Sequence, residues 1–463
     1  MVFRFDRDGK NFEVLGHNFR NNYEVAVDAF GNLWQSDNDD DGNRGVRINY
    51  VMEFGNYGYL DERTGAHWSA PRTGMHDSVP YRHWHQNDPG VVPNLLHTGA
   101  GSPAGITVYE GELLPPVFRG QLIHADAGPN VVRAYPVEVD GAGYSATTVD
   151  IVRSAHDQWF RPVDVATAPD GSLFIADWYD PIVGGAAAGD HEKGRIFRVA
   201  PPGAPYEVPP VDLSSEAAAV RSLDNPNAAV RYRAWMHLYE QGQAAEAALK
   251  EGWAAGDVRH RARALWLLGQ LDNVGAQYIA TAARDNDPQI RVVAIRLARL
   301  TGLELIPFLD ELAKDPSPMV RREAAIALRY EDGPTAAERW SRLARQHDGS
   351  DRWYLEALGI GAERHWPLFF NTWLKEVGDN WRSPGGKDIV WRSRAPAALP
   401  LLAALILDPA TPEKERRRYF RAFDFHTAPA KTEVLLDLIA RADAAGRRRI
   451  RALALQHLPA EDR

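Results

Sequence analysis

The 463-residue sequence contains no cysteine. That excludes a disulfide framework, a thiolate zinc or iron–sulfur site, a cysteine nucleophile and a covalently attached c-type haem. Long apolar runs are missing too, and none approaches the ~18–20 residues that span a bilayer. The first residues, MVFRFDRDGKNFEVLG, lack a basic segment followed by an apolar one, so they are not a signal peptide. They read like the middle of a β structure, and the chain is expected to be a piece of something longer. What is present is an ordinary globular balance, 44% hydrophobic and 25% charged.

Charge is unevenly spread. Residues 1–210 hold 16 Lys and Arg against 28 Asp and Glu, whereas the rest holds 37 against 34. The acidic front disfavours a nucleic-acid surface and suits cations. Nine of the 15 histidines also lie there, so chemistry is expected in the front part.

The front part is rich in Gly, Asn, Asp, Pro and aromatics. Short alternating runs are separated by turn residues: VFRF–DRDG–NFEVL, VAVD–AFG–NLWQS and VDVATA–PDG–SLFIAD. Each reads as a hairpin. The phrases DAFGNLWQSD and APDGSLFIAD match, with turn glycines at Gly31 and Gly171 and an acidic residue ending the second strand. Repeated units of this kind predict propeller blades, with an irregular β-sandwich as the alternative. The expected organisation is a partial β-propeller over 1–199, a proline-dense linker over 200–212 and helices over 213–463.

The helical half repeats a phrase with apolar anchors Val230, Val258, Ile290 and Val320. An Arg follows each anchor, and an Ala lies four residues on. Asp or Asn caps and small alanines at a shared face predict stacked helix pairs of the HEAT type. The expected class is therefore β plus α, a partial propeller followed by an α-helical HEAT solenoid. Arg231, Arg259, Arg291 and Arg321 are expected to form Asp–Arg ladders between repeats rather than to bind nucleic acid.

Three long phrases carry a family resemblance: residues 16–59, with Arg20-Asn21, Gln35-Ser36-Asp37 and Gly55-Asn56-Tyr57-Gly58; residues 101–128; and residues 159–180 followed by GRIFRV. They resemble soluble glucose and sorbosone dehydrogenases, quinoprotein propellers that use pyrroloquinoline quinone (PQQ) and calcium. Together with the helical tail, the chain resembles the large membrane-bound dehydrogenases of planctomycetes. The resemblance implies oxidation of a sugar or alcohol by hydride transfer to PQQ in the periplasm or at the cell surface. Electrons would pass to a cytochrome c domain or protein, and the HEAT part would bind a protein partner. Three departures accompany it. The blades that hold the family's general base are absent, no Cys-x-x-Cys-His is present, and HADAGPN lacks the family's quinone-contacting lysine. A non-catalytic propeller–HEAT scaffold and a calcium-dependent, lactonase-like hydrolase remain as alternatives.

Asp37, Asp39 and Asp41 followed by Gly42 form D-x-D-x-D-G, a pattern that gathers hard oxygens for Ca²⁺. Position twelve is Ile48, so the loop is no EF-hand, and a solvated acidic turn is the alternative. The resemblance adds the Asn38 carbonyl to the calcium set. It also assigns Arg20, Asn21 and Arg161 to PQQ carboxylates, beside Asp164 and Asp177. The alternative for the arginines is a tie between blades through Asp164 or Asp177. His83 and His85 would share one face of a strand, with His76, His97 and His124 as further candidates; aromatic packing with Trp84 is the alternative. His85 and His124 are the candidate general bases. Asp126, Asp177 and Asp180 at strand ends are expected to close blades, and Trp178 and Tyr179 could stack a sugar or quinone face.

Overall fold

The computed structural model describes residues 1–38, 44–99, 101–183, 192–304, 306–427, 429–444 and 446–459. The predicted hairpins are present. Val2–Arg4 pairs with Glu13–His17, Asn22–Val27 with Leu33–Asp37, and Pro162–Thr167 with Leu173–Asp177, all antiparallel. Gly31 and Gly171 take φ of +79° and +84° in the turns, a region that costs glycine little.

These hairpins belong to successive antiparallel meanders. Asn22–Val27, Leu33–Asp37, Val46–Val51 and Leu96–Gly99 form one four-stranded sheet. Pro103–Tyr109, Gln121–Asp126, Val131–Tyr135 and Val149–Arg153 form a second. Pro162–Thr167, Leu173–Asp177 and Arg195–Val199 form a third, three-stranded sheet. The first strands of the three sheets lie side by side. Ser36 Oγ on the first sheet donates to Ala104 O on the second at 3.4 Å, and Tyr109 OH on the second donates to Gly171 O at the third at 2.7 Å.

The helical half is a double layer. Ala228–Gln241, Val258–Leu268, Pro288–Leu300, Pro318–Ala327, Arg352–Ala362, Pro384–Arg392, Glu413–Phe423 and Arg448–His457 form a row in which each helix touches the next. Glu216–Ser222 precedes this row, and the other helices of this half lie between its members in sequence. Side chains of Asn227, Asp257 and Asp287 accept from the first-turn N–H groups of their helices, as the capping pattern predicts. Ala234, Ala262, Ala294 and Ala324 are buried, and their small side chains let neighbouring helices approach.

The arginine ladder is present in part. Arg291 takes Asp315 with both Nε (2.7 Å) and Nη2 (2.8 Å), and the contact joins successive repeats. Arg231 and Arg259 instead face Glu110 of the β part, at 3.1 and 3.9 Å.

Residues 200–212 contain no helix or strand, yet the two halves are not independent. The helix row folds back along the sheets, and one apolar core runs from Trp34 and Tyr50 to Val293 and Trp353. Polar groups fasten the junction. Trp266 Nε1 donates to Ala29 O at 3.1 Å, and Arg296 Nη1 donates to Phe30 O at 2.9 Å and to Asn32 Oδ1 at 3.0 Å. The Arg296 guanidinium also pairs at 2.7 Å with buried Glu323, which neighbouring Arg322 shares at 2.9 Å.

Candidate functional site

The strand-end aspartates share one geometry. Asp37 ends the second strand of its sheet. Its carboxylate accepts from the backbone N–H of Arg20 (3.2 Å to each oxygen) and of Asn21 (2.8 Å), just before the first strand. Across the ladder, Arg47 on the third strand donates to it from Nε at 3.2 Å and Nη2 at 2.7 Å. Asp177 repeats the arrangement. It accepts from Arg161 N at 2.7 Å and Tyr179 N at 3.0 Å, and pairs with Arg195 on the third strand at 2.6 Å. Asp126 accepts from Ser102 N at 2.7 Å, but Arg133 stays 3.9 Å away. Burial with so little compensation pushes the Asp126 carboxyl up to about 6.

These clasps set the expected site residues in a different light. Asp37 is fully buried, and its oxygens are taken up by two backbone N–H groups and Arg47. No lone pair is left for a cation, which corrects its assignment to calcium. The Asn38 carbonyl accepts from Arg20 Nη1 at 3.3 Å. Asp39 and Asp41 lie outside the described residues. Arg161 donates to the carbonyls of Ala127 (2.9 Å), Asp180 (3.0 Å) and Pro181 (3.3 Å). It ties the second sheet to the loop after Asp177 through backbone carbonyls, not through the Asp164 or Asp177 carboxylates of the alternative reading. Asp177 itself is held by Arg195.

Asp164 is exposed on the first strand of the third sheet, and its Oδ1 accepts from Val165 N at 2.7 Å. The Asn21 side chain is exposed, and Arg20 lies 6.0 Å from the Tyr59 ring. Set against PQQ and Ca²⁺, this donor set does not fit as a group: most of its charges already have partners inside the chain.

The histidines separate. His124 is fully buried beside Tyr135 OH, 3.2 Å from Nδ1, and burial pushes it down to about 3. Without access to solvent it cannot exchange a proton with a substrate, which corrects its assignment as a general base. His83 ends a short helix, Val79–His83, and packs on Trp84 with centroids 4.2 Å apart. His76 stacks on Tyr81, whose ring meets His97 edge-on. No strand therefore aligns His83 with His85, and the aromatic-packing alternative describes His76, His83 and His97.

His85 is different. It follows the helix at φ +49°, in the left-handed region that non-glycine residues seldom occupy. Its Nδ1 lies 2.7 Å from Gly58 O and so donates, which leaves Nε2 as a lone-pair acceptor. Burial, with Arg72 nearby, lowers its pKa and keeps the ring neutral.

The residue lines a cavity of about 790 Å³ between the 61–85 loop and the last helices. Asp61, His85 and Asp88 bring ligand-type atoms within 4.8 Å of one another. Arg421 of Glu413–Phe423 already serves those carboxylates. It binds Asp61, and Asp88 at 2.7 Å, and its charge holds Asp61 at about 2. No local pattern marks this meeting, because Asp61 and Arg421 are 360 residues apart. His457 seals the far side, 2.7 Å from Asp424 Oδ1 and 3.0 Å from Thr73 Oγ1.

Residues 1–202 match a family model described as a domain of unknown function (DUF7133). No curated protein matches. Solved structures similar to it include the PQQ-bound aldose sugar dehydrogenase of Streptomyces coelicolor. That match has 18% identity over 42% of this chain and 46% of that one, with a TM-score of 0.26. The apo soluble aldose sugar dehydrogenase of Escherichia coli matches at 20% identity over 36% and 44%, TM-score 0.26. Human deoxyhypusine hydroxylase matches at 19% identity over 52% and 95%, TM-score 0.21. The chain spans just under half the length of the sugar and glucose dehydrogenases it is similar to. Among the described residues, no helix is long and apolar enough to cross a membrane.

Proposed function

We propose that the chain is a binding scaffold of a quinoprotein-type dehydrogenase: a partial β-propeller over 1–199, a linker over 200–212 and a HEAT-type solenoid over 213–463. The observation that carries this reading is the state of the strand-end charges. Arg47 and Arg195 neutralise Asp37 and Asp177, and Arg161 is held by carbonyls, so these groups bind the chain to itself. The side-by-side first strands support the propeller, and the row of helices with buried alanines supports the solenoid. A cytochrome and a further protein partner are the proteins such a scaffold would serve, in the periplasm or at the cell surface.

A second reading has one observation in its favour. His85, neutral and oriented through Nδ1, opens onto a polar cavity, as a base that takes a hydroxyl proton requires. In that reading the chain itself oxidises a sugar or alcohol with PQQ and Ca²⁺. The test is gel filtration of the full chain after incubation with PQQ and Ca²⁺, followed by absorbance and dye reduction with aldoses and alcohols. The scaffold reading expects no retained quinone. Retained quinone with dye reduction lost in His85→Gln would overturn it in favour of the dehydrogenase.

A further inference from the structure

The cavity beside His85 has a chemistry that the quinone reading does not use. Its lining carries five basic side chains, Arg63, Arg72, Arg417, Arg421 and Lys431, against the carboxylates of Asp61 and Asp424. Adding Asp88, which lies behind Arg72 and Arg421, still leaves a positive excess. Two of the cations are not absorbed by internal pairs. Arg63 is exposed and makes no ion pair among the described residues, and Arg417 has one long contact, 3.5 Å to Glu413. An anion is attracted to such a rim.

A second feature selects among anions. His85 is 1% exposed, and its Nε2 has no hydrogen-bond partner among the described residues, although the residue lines the cavity. Its lone pair is therefore available to a hydroxyl donor from a ligand in the cavity. Asp61 and Asp424 add negative charge at the same wall, with their oxygens already engaged by Thr64, Arg421 and His457. An inorganic phosphate dianion brings a single donor, and its charged oxygens would face these carboxylates. A neutral sugar brings donors but gains nothing from the cationic rim. The volume, about 790 Å³, lies within the usual range of small-molecule sites.

We propose that this cavity binds a small polyhydroxylated carboxylate, a sugar acid. The carboxylate is drawn to the Arg63 and Arg417 side, and a hydroxyl donates to His85 Nε2. The site shares His85 with the dehydrogenase reading but needs no quinone; its titration is run without PQQ, so its failure and the failure of that reading are distinguishable.

The experiment is isothermal titration of the full chain with a panel of hexuronates and aldonates, and with glucose and inorganic phosphate as controls. At least one sugar acid is expected to bind saturably at one site, with glucose and phosphate about tenfold weaker or more. Arg63→Gln, an exposed change that leaves the fold intact, is expected to weaken that sugar acid about tenfold. His85→Gln is expected to weaken it as well while leaving its salt dependence in place. Absence of saturable binding across the panel up to ~10 mM overturns the proposal. So does equal affinity for glucose, or an unchanged affinity in Arg63→Gln.

Discussion

Arg47 stands opposite Asp37 across two antiparallel strands and holds its carboxylate at 2.7 Å, with both side chains fully buried. Its guanidinium also lies 3.5 Å from the centre of the Trp84 ring and donates to Tyr57 O at 2.8 Å. The same pairing recurs between Arg195 and Asp177, so a strand-end aspartate and a third-strand arginine form a unit repeated from sheet to sheet. A carboxylate so placed closes the sheet and joins it to the segment before its first strand.

Removing the arginine tests the clasp. Arg47→Met leaves Asp37 buried with two backbone donors and no counter-charge, which costs about 3–5 kcal/mol. Adding Asp37→Asn to that variant should recover part of the loss, because the uncompensated charge is gone. Urea denaturation of the three proteins decides it. A loss below about 1 kcal/mol for Arg47→Met, a size typical of exposed pairs, would show that the clasp is incidental.

Asp126 is the weak copy of this unit, and it predicts a pH effect. Its carboxyl, raised to about 6 by burial, holds its proton more tightly in the folded than in the unfolded chain. Its contribution is therefore complete below the unfolded value near 4 and is lost as pH rises through about 6. Asp126→Asn keeps an acceptor for Ser102 N and removes the titration. Relative to wild type, the variant should gain about 1–2 kcal/mol between pH 4 and pH 8. Denaturation midpoints at both pH values measure this, and parallel pH profiles would contradict it.

The local parts of this fold were legible in the sequence. Gly31 and Gly171 mark the hairpins, the alternating runs mark the strands, and the Asp…Val-Arg phrase with its alanine four residues on marks the helix row. Each signal lies within a few residues of what it specifies. The return of the helices onto the sheets was not legible. It depends on contacts such as Arg296 with Phe30 O and Arg421 with Asp88, which join residues hundreds apart and leave no periodic trace. The same limit explains the site residues. Motif spacing marked Asp37, the strand pattern marked Asp177 and the family resemblance marked Arg161, but none of these could show that Arg47, Arg195 and backbone carbonyls already partner them. His85 was named from its YRHWHQND segment on the premise of a strand. What distinguishes it is a helix end, a positive φ and a cavity closed by the last helices.

The β hairpin that meets the helix row provides a packing test. A Cβ on Gly143 would collide with the Trp353 ring, so the strand Gly143–Ala146 approaches helix Arg352–Ala362 as closely as glycine permits. Gly143→Ala must push the hairpin off Trp353, disturbing Tyr50 and Tyr144 behind it. A loss of about 1–3 kcal/mol is expected, the range for overpacked cores. A melting temperature equal to wild type would show that the junction yields freely.

Arg421 decides whether the Asp61–His85–Asp88 group is a metal site. With the arginine present, two buried carboxylates share one guanidinium, and Arg72 stands 3.6 Å from Asp88. A divalent cation entering there would meet an arginine already occupying the space between its ligands. Wild-type protein should therefore show no rise in melting temperature with Zn²⁺ or Mn²⁺. Arg421→Ala removes that cation, leaving two carboxylates and a neutral imidazole with ligand atoms within 4.8 Å of one another. The variant alone should lose about 3–5 kcal/mol. Added Zn²⁺ should return part of it, because a metal that binds only the folded chain stabilises that state. Thermal unfolding of both proteins with and without Zn²⁺ measures this. Stabilisation of the wild type by Zn²⁺ would mean that the arginine yields to the metal. A variant that Zn²⁺ leaves unchanged would mean that the three ligands cannot converge on one ion.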